Sequence, residues 1–160
     1  MSTPKEGSKA PEIDLPTDNG GNFRLSDMKG ETVLVYFYPK DDTPGCTAQA
    51  CSLNENLKSL ERLGVAVVGI SKDSVKKHDK FKAKYDLQFP LASDEEGDVC
   101  ERYGVWVEKS MYGRKYMGIE RTSFLIDADG KIAKIWPKVK VDGHTEEVLA
   151  AIKELKKKAA

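Results

Sequence analysis

The chain has 160 residues, of which 39% are hydrophobic and 32% charged, a composition typical of a soluble globular domain. Its 26 basic and 26 acidic residues cancel, which argues against a dedicated nucleic-acid-binding protein because phosphate contacts need a basic surplus. The longest apolar run, residues 33–38, is too short to span a bilayer. Residues 1–7 have no apolar core, so we expect no secretory signal and no membrane association.

The first half of the chain predicts a β-hairpin followed by a βαβ unit. Residues 19–22, Asn-Gly-Gly-Asn, are typical of a turn between two strands. Residues 33–38 and 65–70 are apolar on both faces, which predicts two buried parallel strands. Between them, leucines spaced four, three and three residues apart over 53–63 predict one helix of about fifteen residues. Gly64 ends that helix.

The second half of the chain predicts further short elements and a C-terminal helix. In chain order these are a helix capped by Ser74, an edge strand at 91–93, a brief helix near 99–103, a hairpin over 122–136 and a helix over 146–158. Residues 104–120 show no clear period, so we predict a long irregular functional loop. The summed order predicts an α/β, thioredoxin-like fold in one domain, residues 1–160. It has a central mixed β-sheet flanked by helices and an N-terminal β-hairpin extension.

The three cysteines are too few, and odd in number, for a secreted disulfide scaffold. We therefore expect a cytoplasmic protein, in which a close pair such as Cys46 and Cys51 is catalytic or metal-binding more often than structural. Structural zinc needs four ligands, usually in two close pairs, but Cys100, His78 and His144 are scattered. We expect no metal, and both histidines to be solvated, with His144 a possible helix cap. Since no glycine-rich phosphate loop is present, we expect no cofactor.

Cys46 stands at the predicted start of a helix, just after a loop. The unpaired N–H groups and the dipole at a helix start stabilise an anion, which for cysteine is the nucleophilic thiolate. Gly45 would let the backbone approach closely. The position alone also fits a cysteine that is merely small and apolar, so both interpretations stay open at this point.

Residues 39–46 fit the pattern Pro-x-x-x-Thr-x-x-Cys. With this motif the chain resembles the peroxiredoxins, and within them the bacterioferritin-comigratory or PrxQ group. The resemblance extends over almost the whole chain, and the other matching segments are Lys9-Ala10-Pro11 with Ile13 and Leu15, residues 33–39, Glu120-Arg121-Thr122 and residues 124–127. It implies a thiol peroxidase for hydrogen peroxide and organic hydroperoxides, recycled by thioredoxin or a similar dithiol protein. It also implies a monomer.

The resemblance assigns roles to four residues of the motif segments. Cys46 would be the peroxidatic cysteine, which attacks a peroxide oxygen and becomes a sulfenic acid. Thr43 would hydrogen-bond the peroxide, Pro39 would shield the thiolate, and Arg121 would supply a guanidinium to the sulfur and the substrate oxygen. The alternatives are that Arg121 forms a surface ion pair with a neighbour such as Glu120, and that Thr43 is an ordinary helix cap or turn residue.

The resemblance implies that Cys51 is the resolving cysteine, because one subgroup of the family resolves with this spacing, whereas others place the resolving cysteine elsewhere. Five residues along an α-helix place two Cα atoms about 8–9 Å apart, beyond the roughly 7 Å limit for a disulfide. If Cys51 resolves the Cys46 sulfenic acid, the first helical turns must therefore unwind. The alternative is that Cys51 is a core residue. Cys100 is the other candidate for the resolving cysteine, but we expect it to be a small buried residue. We expect Gln49, where many family members have Glu, to leave the thiolate favoured.

Two function classes other than an enzyme also accommodate this cysteine pair. One is a non-catalytic redox-sensing module, in which a disulfide switches a helix that docks on a partner. The other is a holdase that uses apolar surface exposed on oxidation. Catalytic peroxide consumption separates them, because a sensor would turn over once and a holdase would not turn over at all.

Overall fold

The structure is a computed structural model that describes residues 4–159. Residues 1–3, part of the segment in which no secretory signal is expected, lie outside this range. The strands are β1 (Asp14–Pro16), β2 (Asn22–Arg24), β3 (Thr32–Phe37), β4 (Val65–Ser71), β5 (Leu91–Ser93), β6 (Trp106–Met111), β7 (Arg114–Ile119), β8 (Thr122–Ile126) and β9 (Ile132–Trp136). The helices are α1 (Pro44–Glu55), α2 (Leu57–Arg62), α3 (Val75–Tyr85), α4 (Val99–Arg102) and α5 (His144–Ala159).

A five-stranded mixed sheet in the order β5-β4-β3-β8-β9 forms the centre of the fold. Strands β3, β4 and β5 run parallel, whereas β8 is antiparallel to both β3 and β9. The predicted βαβ unit, edge strand and C-terminal hairpin are confirmed, as is the N-terminal hairpin, in which β1 pairs with β2. Among the described residues, no helix is both long and apolar enough to cross a membrane.

Strand β3 divides the core into two clusters, because successive side chains on a strand point to opposite faces. Phe37 belongs to one cluster, called here the Phe37 cluster, together with residues of the N-terminal hairpin and α4. Tyr36 belongs to the other, called here the Tyr36 cluster, together with residues of α1, α2, α3 and α5. All six residues of β3 are buried. This explains the continuous apolar run in the sequence, since the strand is covered on both faces.

The predicted fifteen-residue helix is instead two helices, α1 and α2, separated at Asn56. The Asn56 side-chain amide donates to the Ser52 carbonyl at 2.8 Å, which competes with the regular helical hydrogen-bond pattern. The leucine stripe continues across the break, with Leu53, Leu57 and Leu60 all buried. Periodicity therefore identified the buried face but not the interruption.

The prediction of an irregular loop over residues 104–120 is wrong. Strands β6 and β7 form a regular antiparallel hairpin from the pair Trp106–Ile119 to the pair Met111–Arg114. Tyr112 and Gly113 connect them with φ values of 52° and 79°, as in a two-residue type I′ turn. Most side chains of the hairpin are exposed or only half-buried, so the sequence carries no apolar alternation there.

The expectation that both histidines are solvated is also wrong. His78 is 0% exposed and His144 is 2% exposed. His144 Nε2 lies 2.9 Å from Ser123 Oγ of β8, and burial lowers the pKa of the His144 ring. Each histidine is buried against a partner more than twenty residues away in sequence, so neither partner could be identified from local pattern.

Candidate active site

The sheet brings two separate chain segments to one place. The carboxyl end of β3 lies beside the amino end of β8, because Phe37 pairs with Thr122 in the antiparallel register. The loop that follows β3 contains Pro39 and Thr43, whereas Arg121 immediately precedes β8. Sheet register therefore places Arg121 next to the motif loop, although the two are about eighty residues apart in sequence.

Cys46 lies in the first turn of α1, as the sequence predicted. The helix begins at Pro44, and Thr43, with an extended backbone, occupies the position before it. The Cys46 side chain is 2% exposed and packs in the Tyr36 cluster. Its sulfur is therefore largely shielded from bulk water while it lies at the positive end of the α1 dipole.

Arg121 forms a bridge between Cys46 and Gln49. Its Nη2 donates to Cys46 Sγ at 3.4 Å, and its Nη1 donates to Gln49 Oε1 at 2.8 Å. A Cβ at Gly45 would lie 3.1 Å from Nη2, so glycine at this position leaves room for the guanidinium. Within residues 4–159, Arg121 forms no ion pair with Glu120. The arrangement presents a cationic donor to a buried cysteine sulfur.

Thr43 and Pro39 lie on the loop before the thiol. The Thr43 hydroxyl donates to the Lys40 carbonyl at 2.8 Å and does not cap α1. Its oxygen keeps lone pairs that could accept a hydrogen bond from a substrate O–H. Pro39 is exposed and lines a surface cleft together with Trp106, Met117 and other residues of the β6–β7 hairpin. The hairpin thus forms a wall beside the motif loop.

Cys51 lies on the same helix as Cys46, and all three cysteines are free thiols. Cys51 is half-buried, and burial, with the Glu55 carboxylate as a smaller cause, raises the pKa of its thiol. Cys100 is 0% exposed, which confirms the prediction of a buried residue. It belongs to the Phe37 cluster, whereas Cys46 belongs to the Tyr36 cluster. The two sulfurs therefore pack on opposite faces of β3.

Three residues near the thiol were not predicted as members of the site. Gln49 was noted only as a departure from the family, although its place three residues after Cys46 puts both on one helical face. The Tyr36 hydroxyl is buried without a hydrogen-bond partner among the described residues. Burial, and next the nearby Cys46, raises its pKa. Lys109 on the hairpin is half-buried, and burial and the charge of Arg121 lower its pKa.

The position of Tyr36 could have been inferred from strand alternation, since Tyr36 and Tyr38 share a face of β3. No local signal pointed to Lys109, because its segment has no recognisable period. Within the described range there is no group of three or more His, Cys, Asp or Glu side chains arranged to hold a metal ion.

Comparison with known proteins gives concordant matches. The AhpC/TSA family model matches residues 7–135. A Coxiella burnetii protein whose name assigns it to the bcp peroxiredoxins is 57% identical over 91% of this chain and 97% of its own length. A Xylella fastidiosa PrxQ mutant superposes with a TM-score of 0.90, 38% identity and complete coverage of both chains. The Xanthomonas campestris bacterioferritin comigratory protein superposes with a TM-score of 0.84 and 42% identity, covering 89% of this chain and 90% of that chain.

Proposed function

From the membership of this chain in the AhpC/TSA family and, within it, in the Bcp/PrxQ peroxiredoxins, we propose that Cys46 attacks the peroxide. Peroxiredoxins of this group are thiol-dependent peroxidases. The observation that carries the assignment is the 3.4 Å contact from Arg121 Nη2 to Cys46 Sγ. The guanidinium and the N-terminus of α1 both favour a negatively charged sulfur. Only the thiolate is strongly nucleophilic, so this thiol is the one prepared for attack.

In the peroxidatic step the Cys46 thiolate forms a bond to one peroxide oxygen and the O–O bond breaks. The other oxygen leaves with the bonding electron pair, takes a proton and departs as water or an alcohol, while Cys46 becomes a sulfenic acid. Arg121 stabilises the charge that develops on the leaving oxygen. Thr43 accepts a hydrogen bond from the peroxide and aligns it for attack. Pro39 shields the sulfur from water.

In the resolving step the Cys51 sulfur attacks Cys46, displaces the sulfenic oxygen as water and forms the Cys46–Cys51 disulfide. The helical geometry of α1 keeps the two sulfurs apart, so its first turns unwind before the bond forms. Burial raises the pKa of the Cys51 thiol in the folded helix. Unwinding exposes this thiol to water and thereby increases its thiolate fraction, which couples the conformational change to the chemistry.

The enzyme consumes peroxides and requires a thiol reductant. We propose that it accepts both hydrogen peroxide and organic hydroperoxides, since the related Xanthomonas campestris protein has alkyl peroxide reduction activity. We further propose thioredoxin or a similar dithiol protein as reductant, a monomeric single domain over residues 1–160, and the cytoplasm as location. The three free thiols fit a reducing compartment. Family membership disfavours the sensor and holdase alternatives.

A coupled assay with NADPH, thioredoxin reductase and thioredoxin tests this proposal. The wild-type chain and Cys100→Ser should turn over hydrogen peroxide, whereas Cys46→Ser should show no turnover. Cys51→Ser should react once and accumulate sulfenic acid, which a dimedone-type probe detects. Undiminished turnover by Cys46→Ser would contradict the assignment of the peroxidatic sulfur, and undiminished turnover by Cys51→Ser would contradict the resolving role.

A further inference from the structure

A buried polar cluster attaches the motif loop to α3. Asp41, in the loop that leads to Cys46, accepts from the Tyr38 hydroxyl at 2.5 Å through Oδ1. Its other oxygen, Oδ2, lies 2.6 Å from Nδ1 of His78 on α3. His78 Nε2 lies 3.0 Å from the Ala92 carbonyl oxygen of β5. The cluster is enclosed, because Asp41 is 9% exposed and both Tyr38 and His78 are 1% exposed or less.

The partners of the His78 ring determine its proton count. The Ala92 carbonyl oxygen can only accept, so Nε2 must carry a proton. The 2.6 Å contact between Nδ1 and Asp41 Oδ2 then requires one proton between these two atoms, because two lone pairs at this distance repel. An aspartic carboxyl is a stronger acid than an imidazolium, so this proton resides on Nδ1. With a proton on Nδ1 the contact becomes a charge-assisted hydrogen bond, which is characteristically short. Both oxygens of Asp41 are then satisfied by donors.

We infer that His78 is held as a doubly protonated imidazolium paired with Asp41, and that this pair positions the motif loop, which leads to Cys46. Three further hydrogen bonds hold residues 41–42 of this loop against neighbouring segments. The Asp41 backbone N–H donates to Asp73 Oδ2 at 2.8 Å. Asp42 accepts from Lys84 and from Tyr85, both on α3, at 2.9 Å each.

The attachment separates a fixed part of the loop from a moving part. Residues 41–42 are bonded to α3, whereas α1, which carries both Cys46 and Cys51, must unwind for the disulfide to form. The contacts of Asp41 and Asp42, called here the clamp, therefore hold the loop between Lys40 and Thr43 while the helix beyond Pro44 changes conformation. The effect on catalysis rests on the proposed function, because it assumes that Thr43 aligns the peroxide. The charge state of the pair does not rest on it.

Nitrogen-15 NMR of the histidine rings tests the charge state independently of any activity. In the reduced protein at neutral pH, we expect His78 to show two protonated ring nitrogens. His144 serves as the internal control and should show one, since burial lowers its pKa. In Asp41→Asn, the amide can donate to Nδ1 and still accept from Tyr38, so the fold is kept with a neutral ring and His78 should lose one proton. A singly protonated His78 ring in the wild-type protein would overturn the inference.

Stopped-flow kinetics tests the positioning role by separating the two chemical steps. We expect Asp41→Ala, which breaks the clamp, to slow sulfenic acid formation by at least about tenfold without slowing the disulfide-forming step. Asp41→Asn, which keeps the hydrogen bonds, should stay within about threefold of wild type in both steps. Lys80→Met, at an exposed position on α3 outside these contacts, is the matched control. If Asp41→Ala forms sulfenic acid as fast as Lys80→Met, the positioning role is wrong. If Asp41→Ala does not fold, Asp41→Asn decides the question. A large loss of rate in both chemical steps for Asp41→Asn would then refute the positioning role.

Discussion

Replacing Arg121 with methionine removes the guanidinium from Cys46 and keeps a side chain of comparable length. Nη2 lies 3.4 Å from Sγ, so the substitution deletes a hydrogen bond to the sulfur that we propose is a thiolate, and hydrogen bonds to charged groups contribute about 1.5–3 kcal/mol. Because Arg121 is only half-buried, water partly replaces the lost donor, and the lower half of that range applies. A loss of about 2 kcal/mol in the transition state corresponds to a rate constant lower by about 30-fold.

The measurement is the second-order rate constant for hydrogen peroxide with fully reduced protein, followed by stopped-flow tryptophan fluorescence. The ultraviolet absorbance of the thiolate should fall in parallel, since the same guanidinium stabilises the resting anion. Arg114→Met, at an exposed position on β7, is the matched control and should change the rate constant by less than about twofold. A rate constant for Arg121→Met within about threefold of the control would refute this account of Arg121.

Three further predictions concern residues around the site. Cys100→Ala should leave peroxide turnover within about twofold of wild type in the coupled assay, because Cys100 is fully buried on the other face of β3. Ser52→Ala removes the 2.6 Å hydrogen bond that joins α1 to Thr145 of α5; unfolding free energy should fall by about 1 kcal/mol, and disulfide formation, measured by stopped flow, should accelerate up to roughly fivefold. Burial lowers the pKa of His144, so the unfolded chain binds this proton more readily and stability should fall between about pH 7 and pH 5. The fall in urea midpoint should be smaller in His144→Gln. An unchanged rate of disulfide formation in Ser52→Ala would contradict the second prediction. An identical pH dependence of stability in His144→Gln and wild type would contradict the third.

The elements that position Cys46 could be predicted from the sequence because their patterns are strong. Strand β3 is apolar on both faces and ends at a proline, and the leucine stripe of α1 and α2 has the helical period. Together they place the motif at a strand–loop–helix junction. The location of Arg121 beside the thiol came from the family resemblance, since the pairing of β3 with β8 links residues that lie far apart in sequence.

The errors lie where side chains are exposed on both faces or where the partner is remote. The β6–β7 hairpin has no buried face to impose alternation, and its turn is Tyr112-Gly113 instead of the commoner Asn-Gly. His78 stands in a lysine-rich stretch that is typical of a solvated helix face. Its partner Asp41 is 37 residues away, so only the tertiary structure could show that the ring is buried and paired.

The central claim is that Cys46 and Cys51, and not Cys100, form the redox pair of this enzyme. The most direct test treats the fully reduced protein with one equivalent of hydrogen peroxide, counts free thiols under denaturing conditions and maps linked peptides by mass spectrometry. The account predicts that three thiols fall to one, that the remaining thiol is Cys100, and that a single peptide pair joins Cys46 to Cys51. A link from Cys46 to Cys100, or three thiols that persist after the peroxide is consumed, would contradict it.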